Sequence, residues 1–213
     1  MPRGGGCDRP RAAPPSLAAS GPASPTVRLV LVSPRVEGDI LLWIHGWTGA
    51  APDAAFWLSQ QLADLRFSVV LVSLACLWHL WRGERAESLL WLVLGLTTLG
   101  LEEGLKVLVA RPRPHLWPWL IPQLGFAFPS GHALASATFY PLLARDVAHR
   151  WPRARGLAWG VAVGLALFIG VGRLYLGVHW PSDVLAGWAL GAGQTALGLR
   201  LLEGRRMPPP PDA

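Results

Sequence analysis

Lysine is all but missing from this chain: Lys106 is the only one, set against 18 arginines among 19 cationic side chains. A sequence that uses arginine wherever arginine will serve, and lysine once, marks that position as one wanting a compact, flexible ammonium rather than a planar fork. Charge in general is scarce. Charged residues make up 15% and apolar ones 52%, and the mean hydropathy is +0.35, which excludes an ordinary soluble surface and fits a polytopic membrane protein. Cysteine is scarce too. Cys7 lies in a Pro/Gly-rich segment and Cys76 in an apolar run, so neither a disulfide framework nor a cysteine metal site is expected. Long basic blocks are absent, and the net charge of +6 comes from arginines scattered between apolar runs, a pattern of membrane-flanking loops rather than of nucleic-acid binding. The apolar stretch 27–32 is too short and broken for an h-region, so no secretory signal is expected.

Five long apolar runs are present: Phe67–Trp81, Leu89–Leu108, Ala133–Ala148, Leu157–Val171 and Val184–Leu202. Each is read as a membrane span, the shorter ones drawing on flanking residues to approach the ~20 that cross a bilayer core. Residues 39–65 read as one or two interfacial helices, with a short sixth crossing as the alternative, because Ile40–Trp47 is too short to span and Phe56, Leu58, Leu62 and Leu65 have amphipathic spacing. The expected fold class is therefore all-α, a bundle of about five transmembrane helices with an N-terminal interfacial segment. Residues 1–38, rich in Pro, Gly and Ala, and the Pro-rich 205–213 read as tails. Arginines at 82 and 85, at 150, 153 and 155, and at 205 and 206 put those loops on the cytoplasmic side. The loops carrying residues 113–132 and 173–183 then fall together on the opposite face. Trp78, Trp81, Trp117, Trp119, Trp151 and Trp180 sit at run ends, as interfacial indoles do, and Trp91, Trp159 and Trp188 read as core. Gly pairs at 100/104, 160/164 and 187/191 read as helix packing.

Three stretches at fixed spacing carry the chemistry: Lys106-x6-Arg113-Pro114, then Pro129-Ser130-Gly131-His132, then Arg173-x5-His179-x3-Asp183. Lysine and arginine neutralise a phosphoryl group, and a histidine pair can supply a nucleophile and a proton donor. Ser130 suits a helix N-cap, whose free backbone donors form an anion site, and Gly131 allows close approach. The prolines of Arg111-Pro112-Arg113-Pro114 end the second span; Arg113 is preferred for phosphate, with Arg111 left as loop charge or a secondary contact. Asp183 falls one turn from His179 and can accept from one imidazole nitrogen, freeing the other. The remaining histidines, His45, His79, His115 and His149, read as interfacial or packing residues.

In order and spacing these stretches resemble the signature of the type 2 phosphatidic acid phosphatase family, which also takes in bacterial lipid phosphatases and vanadium haloperoxidases. The resemblance runs from about Asp39 to Arg200. It departs at Gly172, where the family's third motif usually has a serine. It implies a membrane phosphatase domain over 39–204, a histidine nucleophile, a phosphohistidine intermediate, and no metal or cofactor. His179 resembles the nucleophile, His132 the general acid and Asp183 the orienting acid. Lys106, Arg113, Ser130, Gly131 and Arg173 resemble the phosphate cradle. Implied partners are a phosphorylated lipid and the surrounding membrane lipids, and the implied location is the bacterial inner membrane with the site facing away from the cytoplasm. A vanadate-dependent peroxidase and a non-catalytic phospholipid binder are the alternatives. The segment from Leu116 to Ile121 reads as a lip dipping into the headgroup layer. Glu102 and Glu103, one turn before Lys106, either steady its ammonium or lie solvated at the interface.

Overall fold

The computed structural model describes residues 33–119 and 123–204. Among these it contains seven α-helices, one 3-10 turn and no strand: α1 Pro34–His45, α2 Ala50–Gln61, α3 Leu65–Trp81, α4 Arg85–Val109, α5 Gly131–Arg150, α6 Arg155–Tyr175 and α7 Pro181–Gly204, with the turn at Pro152–Ala154 leading into α6. Each of the five apolar runs is a helix, α3 to α7, and the stretch read as interfacial is the pair α1 and α2. One boundary needs correcting. Helix α1 begins at Pro34, inside the segment assigned to the N-terminal tail, because Pro at its start and a buried Glu37 extend the helix backward. Residues 1–32 of the N-terminal tail and the whole 205–213 tail lie outside the described residues.

Helix α5 is the axis. It is buried along most of its length between α6 and α7 because its first half is Ala, Ser and Thr, whose small side chains let neighbours approach. A β-carbon at Gly187 would lie 2.7 Å from the Ser130 carbonyl oxygen, and one at Gly191 would lie 2.5 Å from that of Leu134, so these glycines set the α5–α7 contact. Gly100, Gly104, Gly160 and Gly164, also read as packing glycines, face open space instead. Helices α3 and α4 form a hairpin beside this core, and α2 lies on α6 through Phe56, which stacks on Phe168 at 5.6 Å and meets Tyr175 at 4.3 Å.

The outer faces of α3, α4, α6 and α7 expose leucines and valines such as Leu74, Leu96, Val163 and Leu197. Among the described residues one segment, Pro152–Tyr175, is long and apolar enough to cross a membrane alone, and α2 and α3 qualify as a pair bent by 50°. Trp81 and Trp151 are exposed at one end of the bundle, as expected of interfacial indoles, and Trp91 is core. Trp159 is 36% exposed rather than core. The same end holds an ion network that the sequence reading did not foresee. Buried His79 stands between Glu84, at 2.8 Å, and Asp146, at 3.0 Å, and Trp91 Nε1 also donates to Asp146 at 2.9 Å. The His79 hydrogen bond, aided by Arg150 and Arg82, holds the Glu84 carboxyl below its ordinary pKa.

Candidate active site

At the other end of the bundle the three motifs come together. The α4 helix stops at Val109, where Ala110 turns left-handed (φ 47°) and donates to the Lys106 carbonyl at 2.9 Å. The Arg111–Pro114 strap then runs across the bundle and is tied by the Ala127 N–H to Arg111 O bond at 2.8 Å. Ser130 caps α5, its Oγ accepting from Ala133 N–H at 3.4 Å. Its own N–H donates to the Asp183 carbonyl at 3.0 Å, which joins the second motif to the third through backbone alone. The α6–α7 turn requires Gly177, whose φ of 67° is left-handed and whose missing β-carbon leaves room for the Trp117 ring at 2.6 Å. That turn presents His179.

His179 is buried, and its chemistry follows from its neighbours. Nδ1 lies 2.8 Å from the Ala127 carbonyl oxygen, which can only accept, so Nδ1 carries the proton and Nε2 keeps its lone pair. Arg113 NH1 approaches that Nε2 at 3.1 Å. Burial, reinforced by Arg173 and Arg113, holds the imidazole well below the ordinary histidine pKa, so the neutral nucleophilic form is favoured. Asp183 Oδ2 is 3.6 Å from Nδ1, beyond hydrogen-bonding distance. The partner that fixes the ring is therefore the Ala127 carbonyl, and Asp183 stands behind it. Its Oδ2 accepts from Trp180 N–H at 2.8 Å and its Oδ1 from Arg111 at 2.6 Å.

The cationic groups are held by carbonyls and amides. Arg113 donates to Val178 O at 2.9 Å and to Gly125 O and Leu124 O, each at 3.2 Å; its burial lowers its pKa. Arg173 is fully buried, donates to Gln60 Oε1 at 2.9 Å and Gln123 Oε1 at 3.4 Å, and has an Nε with no partner. His132 Nε2 lies 3.1 Å from the Gln60 carbonyl oxygen, so Nε2 is its proton-bearing nitrogen. Lys106 Nζ reaches Glu102 at 2.6 Å and Glu103 at 3.2 Å, so both acids pair with it, Glu102 more closely. The Glu102 carboxylate also fills the space beside Gly131, where a β-carbon would come within 1.9 Å of it.

Lys106, Gly131, His132 and Glu102 line one end of a cavity of about 440 Å³, whose remaining wall includes Val69, Leu96 and Phe139. At the motif departure, Gly172, a β-carbon would lie 2.1 Å from Ser59 Oγ, whose hydroxyl donates to Phe56 O at 2.6 Å, so Ser59 takes the space a side chain there would need. Ser59, Gln60, Gln123, Ala127 and Glu37 were missed by sequence reasoning. Only Glu37 carried a signal, as an acid on the Leu41/Ile44 stripe of α1. Arg111 is not loop charge; it ion-pairs with Glu37 and Asp183. In the stretch read as a lip, Leu116 is exposed and the two indoles have partners. Trp117 stacks on His45 at 4.0 Å, and Trp119 donates to Pro114 O at 3.0 Å, so both indoles fold back on the protein. Leu120 and Ile121 of that stretch lie outside the described residues. Among the described residues no three His, Cys, Asp or Glu side chains gather as a metal site.

The chain is similar to several known proteins. Phosphatidylglycerophosphatase B of Bacillus subtilis is 37% identical over 106 residues, which cover 48% of this chain and 51% of that one. Phosphatidylglycerophosphatase B of Escherichia coli is 29% identical, with 81% of this chain and 87% of that one aligned. Over a shorter stretch, 36% of this chain and 34% of the relative, an undecaprenyl-diphosphatase of Sulfolobus acidocaldarius is 34% identical. Among solved structures, the transmembrane PAP2-type phosphatidylglycerolphosphate phosphatase from Bacillus subtilis superposes with a TM-score of 0.75 at 25% identity, covering 82% of this chain and 89% of its own. The family model that matches residues 86–207 takes in everything from the start of α4 to the end of α7, and by that match the chain belongs to the PAP2 superfamily.

Proposed function

We propose that this protein removes a terminal phosphate from a membrane lipid by attack of His179 Nε2 on phosphorus. The lipid-phosphatase class, a phosphoric ester hydrolase, follows from the family and from the phosphatidylglycerophosphatase and undecaprenyl-diphosphatase relatives. The apolar outer helix faces and the transmembrane neighbour make it a membrane protein. Candidate substrates are phosphatidic acid, phosphatidylglycerol phosphate and a polyprenyl diphosphate, which offer the same terminal phosphoryl to the same cradle. In this reading α3 to α7 are the five crossings, and α1 and α2 pack at the active-site end. The membrane is the bacterial inner membrane, and the site faces away from the cytoplasm because the arginine-rich turns lie at the opposite end.

One observation carries the mechanism: the Nε2 lone pair of His179 faces Arg113 at 3.1 Å while Nδ1 is spent on a backbone carbonyl. Phosphoryl transfer needs positioning and positive charge around the equatorial oxygens more than covalent assistance. Arg113, the unpartnered Nε of Arg173, Lys106 and the backbone N–H groups of Gly131 and His132 at the start of α5 supply these. The P–N bond forms as the P–O bond to the lipid breaks, and His132, protonated at both ring nitrogens beside the bound phosphate, gives its Nδ1 proton to the departing oxygen and stays neutral with Nε2–H on the Gln60 carbonyl. Water then attacks the phosphohistidine, gives its proton back to His132, and phosphate leaves. Acyl chains lie along the apolar wall of the cavity.

The test is phosphate release from each candidate lipid in detergent with excess EDTA, in the parent and in His179→Ala. The expected result is metal-independent release, a loss of several orders of magnitude in the variant, and acid-labile label trapped on His179. Label on no histidine, or loss of activity on chelation, would overturn the mechanism.

A further inference from the structure

We infer that Glu37 and Arg111 are positioning residues that hold Asp183, and with it the turn carrying His179, in catalytic register. The inference rests on the proposal that His179 is the nucleophile. Glu37 projects from α1 on the same face as Leu41 and Ile44, and all three are buried, Glu37 completely. Its Oε2 pairs with Arg111 NH2. Its Oε1 accepts from the Ser182 N–H at 3.0 Å and from the Ser182 hydroxyl. Arg111 NH1 donates to the Ser182 hydroxyl and to Asp183 Oδ1, both at 2.6 Å, and the guanidinium lies over the Trp180 ring at 5.3 Å.

One guanidinium thus stands between two fully buried carboxylates, and every carboxylate oxygen has a named donor. An uncompensated buried charge is strongly unfavourable, so each of the three groups holds the other two in place. The geometry gives this contact a direction. Residues 180–183 form the first turn of α7, where an anion is stabilised by the free N–H groups and the helix dipole. Glu37 caps that turn from a different helix, at Ser182. Arg111 takes one oxygen of Asp183, which leaves the other on Trp180 N–H, facing the His179 ring from 3.6 Å. Releasing Arg111 frees the Asp183 carboxylate to rotate and loosens the turn that aims Nε2. The second motif reaches Asp183 through the Ser130 N–H on its backbone carbonyl.

The plainer reading is that Glu37 only fastens α1 to the bundle, and the experiment separates the two. Glu37→Gln keeps the shape and removes the charge, presenting either an amide N–H to Arg111 or a weaker acceptor. Leu41→Ala, one turn later on the same face, loosens α1 without touching the polar network. Each is assayed for lipid phosphate hydrolysis alone, and Glu37→Gln also in an Asp183→Asn background. Positioning predicts that Glu37→Gln lowers kcat 10- to 100-fold, the size of a lost supporting contact, with KM within about twofold. It also predicts that Leu41→Ala lowers Tm but keeps kcat, and that Glu37→Gln adds less than about threefold once Asp183 is Asn. An unchanged kcat in Glu37→Gln, an equal kcat loss in Leu41→Ala, or full additivity with Asp183→Asn would overturn it. A His179→Ala variant run alongside keeps the two proposals distinct. If that variant still turns over, the nucleophile assignment has failed; if it is dead while Glu37→Gln is normal, only the positioning role has failed.

Discussion

Replacing Gly131 by alanine separates what the site needs for folding from what it needs for phosphate. A β-carbon at this position would come 1.9, 2.2 and 2.5 Å from the three carboxyl atoms of Glu102, far inside contact distance. All three belong to the free end of a flexible side chain, so the clash is relieved by rotating Glu102 away rather than by moving a helix. That rotation breaks the 2.6 Å pair with Lys106, whose side chains are 18% and 23% exposed, at a cost of about 0.2–1 kcal/mol. Alanine in the first turn of α5 returns up to ~1 kcal/mol of helix propensity. The two terms nearly cancel, and the variant should melt within a few degrees of the parent. Catalysis should fare worse, because the methyl group intrudes on the backbone donors that would cradle phosphate, and a displacement of ~1 Å at a reacting centre costs on the order of 10²-fold. The assay is kcat/KM for a short-chain lipid phosphate in detergent, with a thermal melt of the same preparation. Gly187→Ala is the control: its β-carbon would meet Ser130 O at 2.7 Å, Ala133 Cβ at 2.9 Å and Leu134 N at 3.0 Å, none of which can swing aside. That variant should lose about 1–3 kcal/mol of stability. A Gly131→Ala protein that unfolds like the Gly187→Ala one, or keeps parental kcat/KM, would refute the placement of Gly131 beside the phosphate.

Three further outcomes are expected. His132→Ala should reduce turnover by ~10²–10⁴, the usual worth of a general acid, with expression and Tm unchanged; near-full turnover would remove it from the mechanism. Glu102→Gln should raise KM or lower turnover by roughly tenfold, while Glu103→Gln, with its longer 3.2 Å contact and a side chain 62% exposed, should stay near parental values, and the reverse order would assign the Lys106 support to Glu103. The depressed pKa of His179 means that the folded state resists protonation where the unfolded chain, near 6.5, accepts it. Its stabilising contribution is therefore complete above about pH 6.5 and is lost as pH falls through the folded value, with a slope of at most ~1.4 kcal/mol per pH unit. His179→Gln should flatten that part of the Tm–pH curve, and an unchanged slope would count against a buried neutral ring.

The five long helices were legible because membrane-scale apolar runs are the least ambiguous pattern a sequence carries, and the motif spacings named eight side chains at one end of the bundle. The site's supporting atoms were not legible, for a physical reason. Ala127 acts through its carbonyl oxygen and Gln60 partly through its own, and a backbone group leaves no mark in the identity of the residue. Arg111 and Arg113 both sit in a strap whose prolines fix its direction, yet which arginine faces which acid depends on α1. That helix was read only from residue 39 onward, so its first turn, which carries Glu37, lay in a segment read as tail. At Gly172 the space a serine side chain would need is taken by Ser59 from α2, distant in sequence, and that neighbour could not be read from the motif.

The two halves of the site are built with different stiffness. The half carrying the proposed nucleophile is tied by backbone: Ser130 N–H to Asp183 O at 3.0 Å and Ala127 N–H to Arg111 O at 2.8 Å, with His179 fastened to a carbonyl and Asp183 to Trp180 N–H. The backbone partners cannot change rotamer, so they aim Nε2 before a substrate arrives. The half facing the cavity is made of long side chains, Lys106, Glu102 and Glu103, paired with one another and partly exposed. These can exchange a carboxylate for a phosphate by rotating single bonds. A rigid nucleophile opposite an adaptable cation suits an enzyme that cuts one kind of bond in lipids of differing headgroup. On this argument, exchanging Lys106 for arginine should narrow the range of lipids cleaved rather than abolish cleavage, because the planar fork fixes one approach of the phosphate where the ammonium accepts several. The ratio of kcat/KM between phosphatidic acid and a polyprenyl diphosphate measures it, and a ratio that stays within twofold of the parent's would refute the division.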